Sequence, residues 1–281
     1  MSKISYVNGS YVPHAMAAIS IDDRGYQFGD GVYEVIYLYQ GKMADEDGHL
    51  DRLERSLHEM RIPMPVKRSV LQMIIARLIR VNQIATGLVY IQVTRGVAKR
   101  DHKWTKQLQP ALVITTRHSP VPPAELPEPK TVITVPDQRW ERRDIKTIQL
   151  LPNCFAKQAA YEAGAFEAWM IDDDGTVTEG SSSNAWIVSE NDELITRPAT
   201  HKILNGITRK TVLKVAEQAS LQLVERPFTL AEALKAKEAF LTSATTLVTP
   251  IGKIDDAQIN QGRAGSIAKQ LRIAYIESIG T

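Results

Sequence analysis

The chain has 281 residues, of which 43% are hydrophobic and 23% charged, and its 34 Lys and Arg nearly balance its 32 Asp and Glu. This balance argues against a nucleic-acid-binding tail or a membrane-surface patch, and the composition is that of a globular protein. Cys154 is the only cysteine, so no internal disulfide is possible and a reducing compartment fits. No Cys/His grouping has metal-ligand spacing, and no stretch reaches the length of a membrane span. We therefore expect a cytoplasmic protein without a metal, a nucleic-acid partner or a membrane partner.

The first part of the chain predicts a mixture of strands and helices. Asn8-Gly9, between two short β-rich runs, is a strong hairpin signal. Residues 32–41 alternate in polarity and are rich in aromatic and β-branched residues, which predicts a strand. Residues 48–60 and 66–81 each carry apolar residues at helical spacing, and two further β-rich runs follow them. Strands, helices and strands in this order predict an α+β unit.

Five prolines fall between Ser119 and Lys130. Proline fixes φ and lacks a backbone donor, so this segment is expected to be an extended connector. We therefore predict an N-terminal domain over 1–118, a linker over 119–130 and a C-terminal domain over 131–281.

The C-terminal part begins with a β-rich run and then predicts two hairpins, one around Asp174-Gly175 and one within 184–198. A helix is predicted to begin just after Asn205. Residues 229–232, with the sequence TLAE, have the capping-box signature of a second helix start. Residues 266–279 form an amphipathic pattern that predicts a last helix.

Residues 142–154, RRDIKTIQLLPNC, place a lysine in a run that otherwise predicts a buried strand, with Asn153 as the cap of the next helix. Period-2 alternation puts Lys146 on the same face as Ile148 and Leu150. The ordinary explanation is a lysine that extends its ammonium to solvent. The alternative is an amine whose pKa is lowered by burial, which can attack a carbonyl and form a Schiff base.

Four short stretches combine glycine, hydroxyl and charged residues. They are 23–35, 178–186, 204–211 and 241–250. Each alone has an ordinary explanation as a tight loop, a polar loop, a hydrated helix start or a hydroxyl-rich turn. Together with Lys146 they suggest a ligand that needs an imine, an acid facing a ring nitrogen, here Glu179, and a phosphate cup at a helix start. That description fits pyridoxal phosphate.

The motifs that carry this chemistry also resemble a known family. In chain order they are DRGYQFGDGVYEV, HLDRL, VTRG, RWERRDIK, AKQ, VTEGSSSN and GITR. With them the chain resembles the fold-type IV pyridoxal-phosphate enzymes, and most closely the D-amino acid transaminases. The resemblance extends over essentially the whole chain. It implies an α+β fold of two domains, with the cofactor at the domain interface.

The resemblance implies a role for each matched position. Lys146 would form the Schiff base with the cofactor and carry the proton, and Glu179 would pair with the pyridine nitrogen. The other cofactor-binding positions would be Arg52, Arg139, Ser181, Ser182, Ile207, Thr208, Ser243 and Ala244. One position departs from the family pattern, because Ala244 stands where a hydroxyl is expected to donate to the phosphate. Losing one such bond costs about 1 kcal/mol.

The resemblance also implies how the substrate is bound. The substrate-binding positions would be Tyr33, Arg100, His102 and Thr245. Arg100 and His102 are two residues apart, so an extended loop turns both side chains the same way. Arginine can bind a carboxylate with two parallel hydrogen bonds. In the family this loop comes from the neighbouring subunit, which implies a homodimer. We therefore expect a D-amino acid donor such as D-alanine, and a 2-oxo acid acceptor such as 2-oxoglutarate, in a ping-pong reaction.

Other members of the fold share the lysine, the glutamate and the phosphate elements. They are branched-chain L-amino acid transaminases, aminodeoxychorismate lyases and R-selective amine transaminases. The stretches VYEV and VTRGVAKRDH favour the D-amino acid group. A catalytically inactive binding protein is disfavoured because both Lys146 and Glu179 are present. The preferred amino acid stays open, since one methylene changes discrimination by only about 1–3 kcal/mol.

Overall fold

The structure is a computed structural model that describes residues 3–121, 123 and 125–280. These residues form two compact units. The N-terminal unit consists of residues 3–121 together with Ile145–Gln149, and the C-terminal unit of residues 123, 125–144 and 150–279. Pro122 and Ala124, which belong to the predicted linker, lie outside the described residues.

In its described residues the N-terminal unit has six strands and three α-helices. They are β1 (Ile4–Val7), β2 (Ser10–Pro13), α1 (Arg24–Phe28), β3 (Gly31–Tyr39), β4 (Lys42–Met43), α2 (Glu46–Glu59), α3 (Arg68–Val81), β5 (Gly87–Thr94) and β6 (Ala111–His118), with a 3-10 turn at His14–Met16. The strands form one antiparallel sheet in the order β2-β1-β6-β5-β3-β4. The predicted hairpin is confirmed: Asn8 (φ 45°) and Gly9 (φ 96°) make the turn between β1 and β2. Positive φ at both positions suits the hand of a two-residue hairpin loop.

The core of this unit lies between the sheet and helices α2 and α3. Leu50, Leu53 and Leu57 recur at helical spacing on α2, and each is 1% exposed. They belong to the same buried cluster as Ile36 of β3 and Ile91 of β5. Burying a leucine side chain contributes roughly 1.5–3 kcal/mol, so this stripe fixes α2 against the strands. The predicted helix is confirmed, and it carries His49 and Arg52 to β3.

In its described residues the C-terminal unit has nine strands and four α-helices. They are β7 (Lys130–Pro136), α4 (Leu151–Glu162), β8 (Glu167–Ile171), β9 (Val177–Gly180), β10 (Asn184–Val188), β11 (Leu194–Thr196), α5 (Ile207–Gln218), β12 (Leu223–Glu225), α6 (Leu230–Lys235), β13 (Glu238–Ser243), β14 (Leu247–Ile254), β15 (Ala257–Gln258) and α7 (Ser266–Gly280), with a 3-10 turn at Asn260–Gly262. The sheet order is β12-β11-β10-β13-β14-β7-β8-β9, and β15 pairs with β14. Parallel pairs join β11 to β12, β14 to β7 and β7 to β8, so the sheet is mixed.

Several local predictions for this unit are confirmed. β8 and β9 form the hairpin around Asp174-Gly175, and β10 and β11 form the next one. Thr229 and Glu232 make a reciprocal capping box at the start of α6. Helix α5 begins two residues after Asn205. No helix in the described residues is both long and apolar enough to cross a membrane.

The predicted cap at Asn153 is wrong. Helix α4 begins at Leu151, with Leu150 as its N-cap, and Pro152 occupies its first turn. Proline is favoured there because its φ suits a helix and its missing N–H has no intrahelical partner to lose. Asn153 instead donates from Nδ2 to the carbonyl of Ser181 at 2.8 Å.

The prediction of a regular strand around Lys146 is also wrong. Ile145–Gln149 is irregular backbone that lies beside the edge of β3. The Tyr33 N–H donates to the Lys146 carbonyl, and the Ile148 N–H donates to the Gly31 carbonyl, both at 3.0 Å. These bonds attach the segment to the N-terminal unit, whereas the sequence placed Lys146 in the C-terminal domain.

Candidate active site

Lys146 holds its amine against an aromatic ring of β3. Nζ lies 4.2 Å from the ring centroid of Tyr33, and the lysine is half-buried. The Lys146 N–H donates to Ser56 Oγ at 3.4 Å, and its carbonyl accepts from Tyr33. The structure thus brings together two of the predicted site residues, the lysine and the tyrosine. These backbone bonds fix the position of the lysine, whose primary amine is the type of group that forms a Schiff base with a carbonyl.

Arg52 lies in a buried ion-pair cluster with a residue that sequence reasoning missed. Its Nε donates to Glu34 Oε1 at 2.7 Å and its Nη2 to Glu34 Oε2 at 2.8 Å. His49 Nδ1 lies 2.7 Å from Glu34 Oε2. Burial raises the pKa of Glu34, but Arg52 and His49 outweigh it and lower the pKa to about 2. Glu34 therefore keeps its charge and fixes the direction of the Arg52 guanidinium.

Arg100 and His102 lie on an irregular loop of the N-terminal unit, and both side chains contact the ring of Phe28. Cζ of Arg100 lies 5.2 Å from the Phe28 ring centroid, and the centroid of the His102 ring lies 5.8 Å from it. Both residues are exposed. The two side chains therefore meet at the same ring.

Glu179 on β9 is a fully buried carboxylate with three kinds of donor. Arg139 Nη1 lies 2.5 Å from Oε1, and Asn184 Nδ2 donates to Oε2 at 2.9 Å. The Leu204 N–H lies 3.1 Å from Oε1 and 3.2 Å from Oε2. The structure thus joins two predicted site residues, Glu179 and Arg139, and adds Asn184. Asn184 belongs to the VTEGSSSN motif, but the resemblance implies no role for it.

Arg139 divides its charge between two carboxylates. Its Nε donates to Asp137 Oδ1 at 2.9 Å and its Nη2 to Asp137 Oδ2 at 2.7 Å. These ion pairs outweigh burial and raise the pKa of Arg139, so it stays charged. Burial is the largest influence on Glu179 and raises its pKa, while Arg139 and the Leu204 N–H oppose the rise and Asp137 adds to it. The Glu179 carboxylate is therefore incompletely compensated by its neighbours.

The serines of the same loop are bound to another carboxylate that the sequence did not reveal. The hydroxyls of Ser181, Ser182 and Ser183 all donate to Glu167, at 2.9 Å for Ser182 and 3.2 Å for Ser183. Glu167 is 1% exposed and also accepts from the N–H of Ala168. These bonds shape the loop between β9 and β10.

The predicted phosphate-binding elements are a helix start and a turn. Gly206 is the N-cap of α5 and leaves its first turn without a side-chain cap, so the N–H groups of Ile207 and Thr208 lie where a helix lacks internal partners. A side chain at Gly206 would lie 2.1 Å from Asn184 Oδ1, which explains the glycine. In the turn between β13 and β14, Ser243 Oγ lies 3.3 Å from Thr245 Oγ1 and 2.8 Å from Thr246 Oγ1.

The chain has close relatives of known description. A D-alanine aminotransferase of Bacillus licheniformis is 42% identical over 97% of this chain and 95% of its own length. A D-alanine aminotransferase of Staphylococcus aureus strain MSSA476 is 40% identical over 99% of both chains. Among solved structures, a branched-chain amino acid aminotransferase of Escherichia coli has a TM-score of 0.91. It is 20% identical and covers 99% of this chain and 95% of its own, so it shows the fold.

Residues 31–254 match the profile of a family described as amino-transferase class IV. This range covers most of the chain and includes the site residues of both units. The predicted fold class, α+β of fold type IV, and the predicted aminotransferase activity are confirmed. The chain therefore belongs to the class IV aminotransferase family, whose members act with pyridoxal phosphate.

Proposed function

We propose that this enzyme transfers the amino group of a D-amino acid, such as D-alanine, to a 2-oxo acid, such as 2-oxoglutarate, in a ping-pong reaction. The D-alanine aminotransferases at 40–42% identity over nearly the whole chain support it. The observation that carries the proposal is the pairing of Arg100 and His102 on one exposed loop. A guanidinium beside an imidazole suits an α-carboxylate. Holding the carboxylate at a fixed point decides which enantiomer turns its Cα hydrogen toward the base.

The residues of each unit have the chemistry that pyridoxal phosphate requires. Lys146 supplies a primary amine for the aldehyde. Glu179 is buried, and the arginine beside it is shared with Asp137, so it suits a protonated ring nitrogen. The uncapped start of α5 suits a phosphate, because N–H groups and the helix dipole both favour an anion there. When bound, the cofactor supplies an electron sink that lets the Cα–H bond break.

We propose that the cofactor is held by the positions that the sequence predicts. They are Arg52, Arg139, Lys146, Glu179, Ser181, Ser182, Ile207, Thr208, Ser243 and Ala244. Two contacts limit what these side chains can offer. The hydroxyl protons of Ser181 and Ser182 are given to Glu167, so toward a ligand these serines have only lone pairs and backbone groups. Arg52 has two N–H groups engaged with Glu34, which orients the guanidinium before any ligand binds.

Five positions act on the substrate in this proposal. Arg100 and His102 bind its carboxylate, with Tyr33 and Thr245 as further donors. Lys146 removes the proton from Cα and returns one at the end of the half-reaction. Its contact with the ring of Tyr33 keeps the amine on one side of the substrate, so proton transfer is restricted to one enantiomer.

The test is a half-reaction screen of D- and L-amino acids, in which the cofactor's absorbance reports conversion to its amine form. D-alanine should react faster than L-valine or L-leucine. Arg100→Ala should weaken the binding of D-alanine by about 2–4 kcal/mol, the cost of removing one partner of a desolvated pair of arginine and carboxylate. The KM for D-alanine should rise accordingly. Primary amines without a carboxylate should be unaffected. A preference for L-valine would instead favour a branched-chain L-amino acid transaminase, the activity in the name of the Escherichia coli structure.

We also propose a homodimer in the cytoplasm, where the exposed thiol of Cys154 would stay reduced. If the Arg100 loop serves the neighbouring subunit, two variants that are each defective at a low concentration of D-alanine should complement each other. Mixing Lys146→Ala with Arg100→Ala protein should restore activity, because each hybrid then contains one site with both residues intact. If the loop serves its own subunit, every site in the hybrid keeps one defect and activity does not return.

A further inference from the structure

The backbone of the Arg100 loop converges on one buried arginine. Arg24 Nη1 donates to the carbonyl of Asp101 at 2.6 Å and to that of Lys103 at 3.4 Å. Its Nη2 donates to the carbonyl of His102 at 3.2 Å. Three consecutive carbonyls therefore share one guanidinium, and Arg24 is only 3% exposed.

Little else in the described structure ties this part of the loop to the fold. Residues 99–103 make no backbone-to-backbone hydrogen bond there. The nearest such bond joins the Ala98 N–H to the Asp22 carbonyl at 3.2 Å, just before the segment. Within the segment, the Lys103 N–H donates to Asp101 Oδ1 at 3.3 Å. The Arg24 guanidinium is thus the main polar link between these residues and the core.

Arg24 is itself held rigidly. Its Nε donates to Asp30 Oδ2 at 2.8 Å, and Arg95 Nε donates to the same oxygen at 2.8 Å. Arg95 in turn donates to the carbonyls of Met60 and Arg61 at the end of α2. Cζ of Arg24 also lies 4.8 Å from the centroid of the Phe28 ring, the ring that Arg100 and His102 contact.

We propose that Arg24 is a positioning residue for substrate recognition, which sets the Arg100–His102 loop in the geometry that binds the α-carboxylate. This inference rests on the proposed function, because the loop's role in binding a carboxylate is part of that function. Arg24 itself touches neither substrate nor cofactor in this account. It acts through three backbone bonds and through the Phe28 ring. A lysine would keep the charge but lose the planar fork that reaches three carbonyls at once.

The experiment compares Arg24→Gln and Arg24→Lys with Arg95→Gln. Arg95 is the control because it is equally buried, at 3%, and shares Asp30, but its Nη groups bind carbonyls at the end of α2 instead of those of residues 101–103. Just after the segment, its Cζ lies 4.0 Å from the centroid of the Trp104 ring. The first readout is limited trypsin digestion of the holoenzyme, since Lys99, Arg100 and Lys103 are cleavage sites within the loop. Both Arg24 variants should be cut there about tenfold faster or more, because the segment then opens without unfolding the core. Arg95→Gln loses the contact with Trp104 but none of the three carbonyl bonds, so it should be cut much more slowly than the Arg24 variants.

The second readout is the half-reaction with D-alanine and with a primary amine that lacks a carboxylate. Arg24→Gln should raise the KM for D-alanine about 10- to 100-fold with a smaller change in kcat, as expected for a displaced binding group. The amine should react as with wild type. In an Arg100→Ala background, Arg24→Gln should add little, because the group that it positions is already gone.

Unchanged trypsin cleavage in the Arg24 variants would overturn the inference. So would an equal rise in KM for both substrates, or a rise as large in Arg95→Gln, because each indicates general destabilisation. The proposed function fails separately, if Arg100→Ala leaves the KM for D-alanine unchanged. In that case the digestion still decides whether Arg24 holds the loop.

Discussion

Each unit contains a buried carboxylate bound by an arginine, yet the two carboxylates differ in proton affinity. The pKa of Glu34 in the N-terminal unit is lowered to about 2, and that of Glu179 in the C-terminal unit is raised. Burial raises both. Arg52 gives two nitrogens to Glu34 and His49 adds a third nitrogen, whereas Arg139 gives one nitrogen to Glu179 and two to Asp137. Whether the arginine also binds a second carboxylate therefore decides whether the pKa of the buried glutamate falls or rises.

The two pairs accordingly suit different tasks. Glu34 is fully compensated within the protein, so its cluster contributes to stability and to the orientation of Arg52. The neighbours of Glu179 supply too little positive charge to offset its burial, and a protonated pyridine nitrogen would supply more. A carboxylate that is costly to ionise among its protein neighbours is thus suited to bind a cationic ring.

The largest effect is expected from Lys146→Ala, which tests whether a cofactor binds beside Glu179. Lys146→Ala should abolish transamination, because it removes both the amine that binds the cofactor and the base that moves the Cα proton. Borohydride treatment of the wild type should add the cofactor's mass to the peptide that contains Lys146, and the variant should gain none. Lys253→Ala, a change near the exposed Asp256, should leave both readouts unchanged. Near-wild-type turnover in Lys146→Ala would end the assignment.

Glu34→Gln should act on stability. It leaves Arg52 and His49 buried beside a neutral amide, and breaking a buried pair by removing one partner costs about 3–5 kcal/mol. The free energy of unfolding measured in urea should fall by that amount. Glu54→Gln is the control, because Glu54 is half-buried at the surface and its carboxylate lies 3.7 Å from Arg68, and such surface pairs contribute about 0–1 kcal/mol. An equally small loss in both variants would mean that the Glu34 cluster does not stabilise the fold.

The same variant should change the response to acid. Glu34 has an ordinary value of 4.5 and a folded pKa of about 2, so the unfolded chain binds more protons between these values. Its stabilisation is present above about pH 4.5 and is lost as the pH falls toward 2, by about 3 kcal/mol for a shift of this size. The acid limb of the stability curve should therefore be flatter in Glu34→Gln. The contribution of Glu179 to stability depends on pH in the opposite direction, because it is lost as the pH rises through the raised pKa of Glu179.

Glu179→Gln should lower the reaction rate and leave stability intact, the reverse of what is expected for Glu34→Gln. The half-reaction with D-alanine should slow by about 100-fold, the usual cost of removing one electrostatic partner at a reacting centre. The free energy of unfolding without cofactor should stay the same or rise, because Asp137 still pairs with Arg139. Glu34→Gln and Glu179→Gln thus separate stability from rate. A wild-type half-reaction rate in Glu179→Gln would contradict its role at the ring nitrogen.

The contrast between these carboxylates also marks what the sequence could and could not predict. Hairpins, the α2 stripe and the capping box followed from local patterns, and the ordered motifs identified the family and the fold. Glu34 and Glu167 were missed because each lies on a strand, where nothing local distinguishes a buried charge from an exposed one. Their partners come from α2 and from the serine loop, 15 to 18 and 14 to 16 residues away.

Lys146 shows the same limit for backbone structure. Its segment has the alternation of a strand, but the edge of β3 accepts only a short stretch of it before the chain moves on to α4. The contacts of Arg24 are still harder to predict from the sequence, because its partners in the loop are 77 to 79 residues away. Such contacts depend on the whole fold and have no signature within a short window.

The smallest expected effect concerns Ala244, in the turn that carries the hydroxyls of Ser243, Thr245 and Thr246. Ala244 is half-buried. Ala244→Thr should add one donor to the phosphate and strengthen cofactor binding by about 1 kcal/mol, or roughly fivefold. Ala244→Val is the matched control, because valine has the shape of threonine without the hydroxyl. Tighter cofactor binding in the threonine variant alone would assign the gain to a hydrogen bond. Equal affinities would mean that a hydroxyl at this position does not reach the phosphate, which would then depend on the start of α5, on Arg52 and on backbone groups of the turn.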